Sequence, residues 1–136
     1  TAAGRARLSF TLDGLPRTPD LMLVGLGGND MLRGLSPQDT RANLDAILAE
    51  AKARGIKVML TGMLASPNMG ADYAAAFNSI YPDLARKYDA ALYPFMLDGV
   101  LGDQALLLPD GIHPNAQGVK RIAGRLAPMV AEALAP

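Results

Sequence analysis

The residues best suited to chemistry lie in the sequence DGIHPN at positions 110–115. His113 is the only histidine of the 136-residue chain, and Asp110 precedes it by three residues in a loop rich in glycine and proline. A histidine whose ring is oriented by a carboxylate can take a proton from a hydroxyl nucleophile. This spacing predicts that His113 is a general base and Asp110 its partner. The alternative is a surface histidine, with Asp110 capping the last helix.

A second group of polar residues follows an apolar run, in the sequence GGND at positions 27–30. The side-chain amide of Asn29 and the neighbouring backbone N–H groups are donors of the kind that stabilise an oxyanion. The two glycines would let a substrate approach the backbone closely. The alternative is an ordinary turn at the end of a strand, because Gly, Asn and Asp are common in turns.

The composition argues against several other functions. The 13 basic residues balance the 13 acidic ones and only 5% of the residues are aromatic, so the sequence does not indicate a nucleic-acid-binding protein. One histidine and no cysteine leave no credible metal site and no disulfide. The glycines at positions 25–28 lack the spacing of a dinucleotide-binding loop. We therefore expect no cofactor, no metal and no nucleic acid.

Helices and strands are predicted to alternate along the chain. Leu8, Leu12 and Leu15 have helical spacing, and Gly14 and Pro16 end that helix. A strand buried on both faces is predicted at 20–26, and a helix then runs from Ser36 and Pro37 to Gly55, with a buried stripe of Leu44, Ile47, Leu48 and Ala51. A second strand at 56–60 is followed by a helix that is kinked or split at Pro82 and carries on one face Tyr73, Phe77, Ile80, Leu84 and Tyr88. The chain ends with a weak strand at 91–95, a loop at 98–108 and a last helix, which is opened by Pro114 or Asn115 and has on its face Val119, Ile122, Leu126 and Val130.

This alternation predicts an α/β fold in which helices cover both faces of a parallel sheet. Ligands bind such sheets at the carboxyl ends of the strands. The sequence GGND directly follows the first strand, and Asp110 and His113 follow the last one. Both groups of polar residues are therefore expected at the same edge of the sheet.

Taken together, GGND after a strand and DGIHPN before the last helix make the chain resemble the SGNH (GDSL-type) hydrolases. The sequences LRG at 32–34 and FNSIYP at 77–82 are similar to the acyl-CoA thioesterase I, lysophospholipase and arylesterase branch of that family. The resemblance covers essentially the whole chain. It implies a three-layer α/β fold with a parallel sheet of flavodoxin-like order, and hydrolysis of a small acyl ester or thioester by a serine. Since related enzymes are often exported, it also implies a periplasmic or secreted protein.

The resemblance implies a role for three residues: Asn29 is the oxyanion-hole asparagine, His113 the base and Asp110 its partner. It also implies that residues 1–136 are the C-terminal portion of a single SGNH hydrolase domain. The family's serine block, its glycine block and the first two of its five strands have no counterpart in this sequence. We expect an N-terminal segment, in cis or from another chain, to supply the serine. The alternatives are a catalytically inactive remnant that binds acyl or carbohydrate groups, and a flavodoxin-like domain in which both motifs are coincidental.

None of the four serines of the chain is predicted to replace the absent nucleophile. Ser9 and Ser79 fall within predicted helices, Ser36 at a helix cap, and Ser66 before a proline in a loop. A nucleophilic serine of this kind requires a sharp turn after a strand, and no serine here follows a strand in such a turn.

Apolar residues beside the two polar motifs are expected to line an acyl-binding groove. They follow Asn29, follow the second strand, or lie between Asp110 and His113: Met31, Leu32, Leu35, Met63, Leu64 and Ile112. Flexible methionines suit varied acyl chains. The alternative is that these residues fold onto the core. Arg33 is expected to pair with Asp30 and fix the loop.

Overall fold

Three short apolar segments pair side by side as parallel strands in the computed structural model, which describes residues 1–135. Helices precede and follow them in the predicted alternation. The elements are α1 (Ala2–Asp13), β1 (Leu21–Val24), α2 (Gly28–Leu32), α3 (Pro37–Ala53), β2 (Lys57–Thr61), a 3₁₀ turn (Pro67–Met69), α4 (Ala71–Asn78), α5 (Ile80–Tyr88), β3 (Ala91–Tyr93), a second 3₁₀ turn (Gln104–Leu106) and α6 (Ala116–Leu134).

The three strands end at one edge of the sheet. Val24 pairs with Leu60, and Thr61 pairs with Tyr93, so the carboxyl ends of β1, β2 and β3 are level with each other. The sheet order is β1-β2-β3, as expected for the last three strands of the flavodoxin-like order 2-1-3-4-5. The parallel α/β fold predicted from the sequence is therefore confirmed.

The main core lies between one face of the sheet and helices α1, α3 and α5. The predicted stripe of α3 is confirmed, because Leu44, Ile47, Leu48 and Ala51 are all buried. Helix α3 begins where expected, since the hydroxyl of Ser36 accepts a hydrogen bond from the backbone N–H of Gln38 at 3.2 Å. These contacts fix the helix that follows the GGND sequence.

Helix α6 lies against β2 and β3 and covers the other face of the sheet, which completes the three layers. Ile122 packs in a small cluster with Val100, Leu106 and Leu107. The predicted place of Val119 on this face is wrong, because its side chain is 55% exposed. Gly118 lies there instead, and a Cβ on it would come within 2.2 Å of the Leu106 carbonyl oxygen.

Two predicted elements have different bounds from those expected. The helix expected over Tyr73–Tyr88 is divided at Ser79, not at Pro82. Pro82 is the third residue of α5, where a backbone N–H has no partner within the helix and its loss costs little. Strand β3 ends at Tyr93, because Pro94 has no N–H to donate.

Strand β1 is not buried on both faces, contrary to expectation. The side chain of Leu23 is 44% exposed, while its neighbour Val24 is only 4% exposed. Among residues 1–135, β1 pairs with β2 alone, so β1 is an edge strand whose second hydrogen-bonding edge has no partner strand. Helix α1 stops at Asp13, so Leu15 lies beyond it and is also exposed. No helix in the described part of the chain is long and apolar enough to cross a membrane.

Candidate active site

A cavity of about 630 Å³ lies at the edge where the three strands end. The loops after all three strands contribute to its wall, and so does the loop before α6. Both predicted polar groups reach it, because Asn29 and His113 are among the lining residues. The sheet therefore brings together two motifs that are 84 positions apart in the sequence.

Asp110 and His113 form a directly bonded pair. The Nδ1 atom of the His113 ring lies 2.7 Å from Oδ2 of Asp110. The other carboxylate oxygen accepts two backbone N–H groups, those of Ile112 and His113, each at 2.9 Å. The alternative, in which Asp110 caps the last helix, is wrong. Asn115 caps α6 instead, by accepting from the N–H groups of Gln117 and Gly118.

The hydrogen bonds of Asp110 fix its charge. Donation from the backbone N–H of His113, then from that of Ile112 and from the His113 ring, lowers the pKa of Asp110 to about 2. Asp110 is therefore an acceptor at neutral pH, and Nδ1 of His113 donates to it. This arrangement leaves Nε2 as the ring nitrogen that can accept a proton.

The loop that carries this pair is held at both ends. The N–H of Leu108 donates to the His113 carbonyl at 2.7 Å, and Gly111 turns the chain with a φ of +70°. The side-chain amide of Asn115 donates to the carbonyl groups of Ala105 at 2.9 Å and Leu107 at 3.2 Å. One side chain thus connects the start of α6 to the segment before the loop.

Asn29 lies in the first turn of α2 and is exposed beside the cavity. Gly27 precedes this helix with a φ of +116°, a conformation that glycine adopts at little cost. The Asn29 side chain makes no hydrogen bond to residues 1–135, so its amide is available as a donor. A free amide at a cavity wall is a group that could donate to an oxyanion.

Asp30 follows Asn29 and is buried at the cavity wall, only 6% exposed. Its carboxylate accepts from the hydroxyl of Thr40 at 3.1 Å and contacts the nitrogen and the hydroxyl of Thr1 at 2.5 Å. The expected pairing with Arg33 is wrong, because the partners of Asp30 are Thr1 and Thr40.

Four of the six apolar residues expected in an acyl groove line the cavity: Leu32, Leu35, Met63 and Ile112. Met31 does not, because it is only 6% exposed and belongs to the main core. Leu64 is 44% exposed but lies outside the cavity wall. The wall residues that were not predicted include Met96 and Leu97. Their position just after the third predicted strand was the available signal.

Comparison with known proteins settles the family. Residues 1–121 match the sequence profile of the GDSL-like lipase/acylhydrolase family. The chain belongs to this family. The match takes in Asn29, Asp110 and His113, so the cavity described above is the candidate active site of a GDSL-like hydrolase domain.

Similar proteins include named esterases. Esterase TesA from Pseudomonas aeruginosa is 39% identical over 128 residues, covering 94% of this chain and 63% of that protein. Thioesterase 1/protease 1/lysophospholipase L1 from Escherichia coli K12 is 40% identical over 124 residues, covering 91% of this chain and 59% of that protein. The chain therefore spans about three fifths of the length of the curated relatives it matches.

Solved structures confirm the SGNH hydrolase fold. The crystal structure of AlinE4, an SGNH-hydrolase family esterase, is 48% identical with a TM-score of 0.78, covering 99% of this chain and 71% of that one. The crystal structure of TesA is 38% identical with a TM-score of 0.88, covering 97% of this chain and 72% of that one.

No serine of the GDSL-like chain lines the cavity among the described residues. Ser9 donates to Glu50 on the surface, and Ser79 donates to the carbonyl of Ala76 between α4 and α5. Ser36 and Ser66 precede the helical segments that follow them. None of these hydroxyls is therefore placed to give a proton to His113.

Proposed function

We propose that residues 1–136 are the C-terminal portion of a single SGNH hydrolase domain that hydrolyses acyl esters or thioesters. The substrate would be of the arylester, lysophospholipid or acyl-CoA type. The observation that carries this proposal is the Asp110–His113 pair, bonded at 2.7 Å, whose histidine lines the same cavity as Asn29. The names of the similar proteins support the reaction class.

In the proposed mechanism, Nε2 of His113 takes the proton of a serine hydroxyl as the serine oxygen attacks the acyl carbonyl carbon. Asp110 holds the ring and stabilises the imidazolium. The Asn29 amide donates to the negatively charged carbonyl oxygen of the tetrahedral intermediate. His113 then gives the proton to the departing alcohol or thiol. In the second half, His113 takes a proton from water as the water oxygen attacks the carbonyl carbon of the acyl group now bound to the serine. The bond from that carbon to the serine oxygen then breaks, His113 returns the proton to the serine, and the acid is released.

We propose that the serine comes from a segment N-terminal to Thr1, in cis or from another chain. Strand β1 supports this, because its outer side is unpaired within residues 1–135 and Leu23 is half exposed. A groove of about 540 Å³ runs between β1 and α1. A parallel strand placed there would pair with the free backbone groups of β1. Its carboxyl end would then lie at the same sheet edge as Asn29.

We further propose that Leu32, Leu35, Met63 and Ile112 bind the acyl chain, since all four line the cavity. The cavity wall thus combines apolar side chains with a few polar ones, Asn29 and His113 among them, which is the usual composition of a small-molecule site. Following the family resemblance, we also propose a periplasmic or secreted location, which cell fractionation with an antibody to the chain would test.

The proposal is tested by hydrolysis of p-nitrophenyl butyrate. Two proteins are compared, the chain of residues 1–136 and the protein made with its native upstream sequence, each beside its His113→Ala variant. We expect activity in the longer protein and loss of that activity in the variant. The matched control is Asp20→Asn, an exposed aspartate paired with Arg17 away from the cavity. Activity that survives His113→Ala would contradict the assigned base.

The second candidate is a catalytically inactive protein that binds acyl or carbohydrate groups. The observation that favours it is the absence of a serine from the described cavity wall. It predicts no turnover in either protein, but saturable binding of a non-hydrolysable acyl ether or a sugar. Weaker binding in Leu32→Ala and Met63→Ala would then locate the ligand in this cavity.

A further inference from the structure

Three aromatic residues spaced four positions apart form a packed row along α4 and α5. The rings of Tyr73 and Phe77 are stacked with centroids 5.9 Å apart, and Phe77 meets Tyr81 edge-on, also at 5.9 Å. Phe77 and Tyr81 are almost completely buried. We call Tyr73, Phe77 and Tyr81 the aromatic ladder. Because the rings support each other in the core, the two tyrosine hydroxyls have fixed positions.

The inner hydroxyl of the ladder holds the start of the segment that carries Asn29. Tyr81 Oη donates to the carbonyl oxygen of Leu26 at 2.9 Å. The next residue, Gly27, turns the chain into α2. A Cβ on Gly27 would lie 2.1 Å from Tyr81 Oη, so the hydroxyl occupies the space that a side chain at position 27 would need. The tyrosine and the glycine are therefore fitted to each other.

The outer hydroxyl of the ladder holds the end of the same segment. Tyr73 Oη donates to the carbonyl oxygen of Leu35, also at 2.9 Å. We call residues 26–35 the Asn29 segment. Between its two ends, Asp30 is anchored by the hydroxyl of Thr40. The Asn29 side chain is thus flanked by three hydrogen bonds from the protein while making none itself to the described residues.

We propose that Tyr73 and Tyr81 are positioning residues that hold the Asn29 segment so that the Asn29 amide points into the cavity. The proposal rests on the proposed function for the part that concerns catalysis. The donor role of Tyr81 persists over a wide pH range, because burial, and then the nearby charge of Asp30, raise the pKa of its hydroxyl. An oxyanion donor must lie within about 0.5 Å of its working position, and a displacement of about 1 Å can cost a hundredfold in rate.

The first test follows the segment itself and needs no activity. Amide hydrogen exchange is measured on residues 1–136 for Tyr81→Phe, Tyr73→Phe and Tyr93→Phe. The reporter is the N–H of Met31, which donates to the Gly27 carbonyl at 3.0 Å. We expect exchange about five- to tenfold faster in Tyr81→Phe, from the loss of one partly buried hydrogen bond to the Leu26 carbonyl. Tyr93→Phe is the matched control, because its buried hydroxyl has no partner in the described chain.

The second test follows catalysis in the active protein. We expect Tyr81→Phe to lower kcat by about tenfold to a hundredfold while KM changes by less than about threefold, because an oxyanion donor acts on the transition state. Because a smaller folded fraction would also lower the apparent kcat without changing KM, kcat is expressed per folded molecule, with the folded fraction measured by circular dichroism. If Tyr81→Phe does not fold, Tyr73→Phe serves instead, since its hydrogen bond lies at the surface.

The outcomes separate this proposal from the proposed function. Unchanged Met31 exchange in both ladder variants overturns it. Faster exchange with an unchanged kcat overturns the positioning role. Faster exchange, together with a lower kcat and a nearly unchanged KM, supports the positioning role. An inactive wild-type protein would contradict the proposed hydrolase, while the exchange rates would still decide whether the ladder holds the Asn29 segment.

Discussion

His113 donates to Asp110 twice, once through its backbone N–H and once through its ring. The carboxylate therefore fixes both the loop and the imidazole. Because one residue receives both bonds, a change at Asp110 acts on the position of the base and on its tautomer together.

Replacing Asp110 with Asn should nearly abolish hydrolysis. By comparison with serine hydrolase triads, we expect kcat to fall by about three to four orders of magnitude, because a carboxamide does not stabilise the imidazolium. Hydrolysis of p-nitrophenyl butyrate by the active protein measures the effect. Asp20→Asn is the control. A fall smaller than about tenfold would show that Asp110 is not the partner of the base.

The charge of Asp110 should persist far into the acid range. Because its pKa is lowered in the folded protein, ionised Asp110 stabilises the folded loop at pH values above 3.8, and this contribution is lost as the pH falls towards about 2. We therefore expect Asp110 to remain ionised at pH 3 in the folded protein. Titration of its side-chain carbonyl by carbon NMR checks this, and a midpoint near 3.8 would contradict it.

Replacing Asn29 with Ala should affect catalysis without affecting stability. We expect kcat to fall by about a hundredfold to a thousandfold with little change in KM, as for loss of one oxyanion donor. Since the side chain is exposed and makes no hydrogen bond to residues 1–135, the midpoint of thermal unfolding should not move. Asn68→Ala, in the exposed 3₁₀ turn, is the control. Equal falls in stability and activity would argue for a structural role.

Shortening the cavity wall should change the preference for acyl chain length. We expect Leu32→Ala and Met63→Ala to reduce the ratio of kcat/KM for hexanoyl over acetyl esters by about three- to tenfold, from the loss of one or two methylene contacts. Leu101→Ala is the control, since Leu101 is exposed and lies outside the cavity. An unchanged ratio in both wall variants would remove these residues from the acyl groove.

Two glycines of α6 should respond in opposite ways to alanine. Gly118→Ala brings a Cβ within 2.2 Å of the Leu106 carbonyl oxygen, and we expect a loss of about 1–3 kcal/mol in the free energy of unfolding. Gly124→Ala meets nothing within 4 Å and should stabilise the protein by up to about 1 kcal/mol through helix propensity. Urea unfolding of both variants measures the difference.

Much of the fold could be predicted from the sequence, because long elements repeat their pattern. The stripe of α3 and the capping residue Ser36 are examples, since four turns of helix give a clear period. Helix α2 has only five residues, too few to show which face is buried. For this reason Met31 was expected beside Leu32 in the groove, although the structure places it in the core.

The candidate site was predictable where residue type alone implies chemistry, as for Asn29, Asp110 and His113. The residues that hold the site were not. Helical spacing placed Tyr73 and Tyr81 on a core face, but a spacing pattern cannot show which carbonyl a hydroxyl will reach. Their partners, Leu26 and Leu35, are 38 or more positions away in the sequence and come close only in the folded chain.

Asn115 has a consequence for how the protein opens. Its oxygen caps α6, while its nitrogen donates to the carbonyl groups of Ala105 and Leu107. The loop with the base, the 3₁₀ turn before it and the first turn of the last helix are therefore joined through one side chain. We expect these three segments to unfold as one cooperative unit, so that heat would inactivate the site and fray the helix at the same temperature.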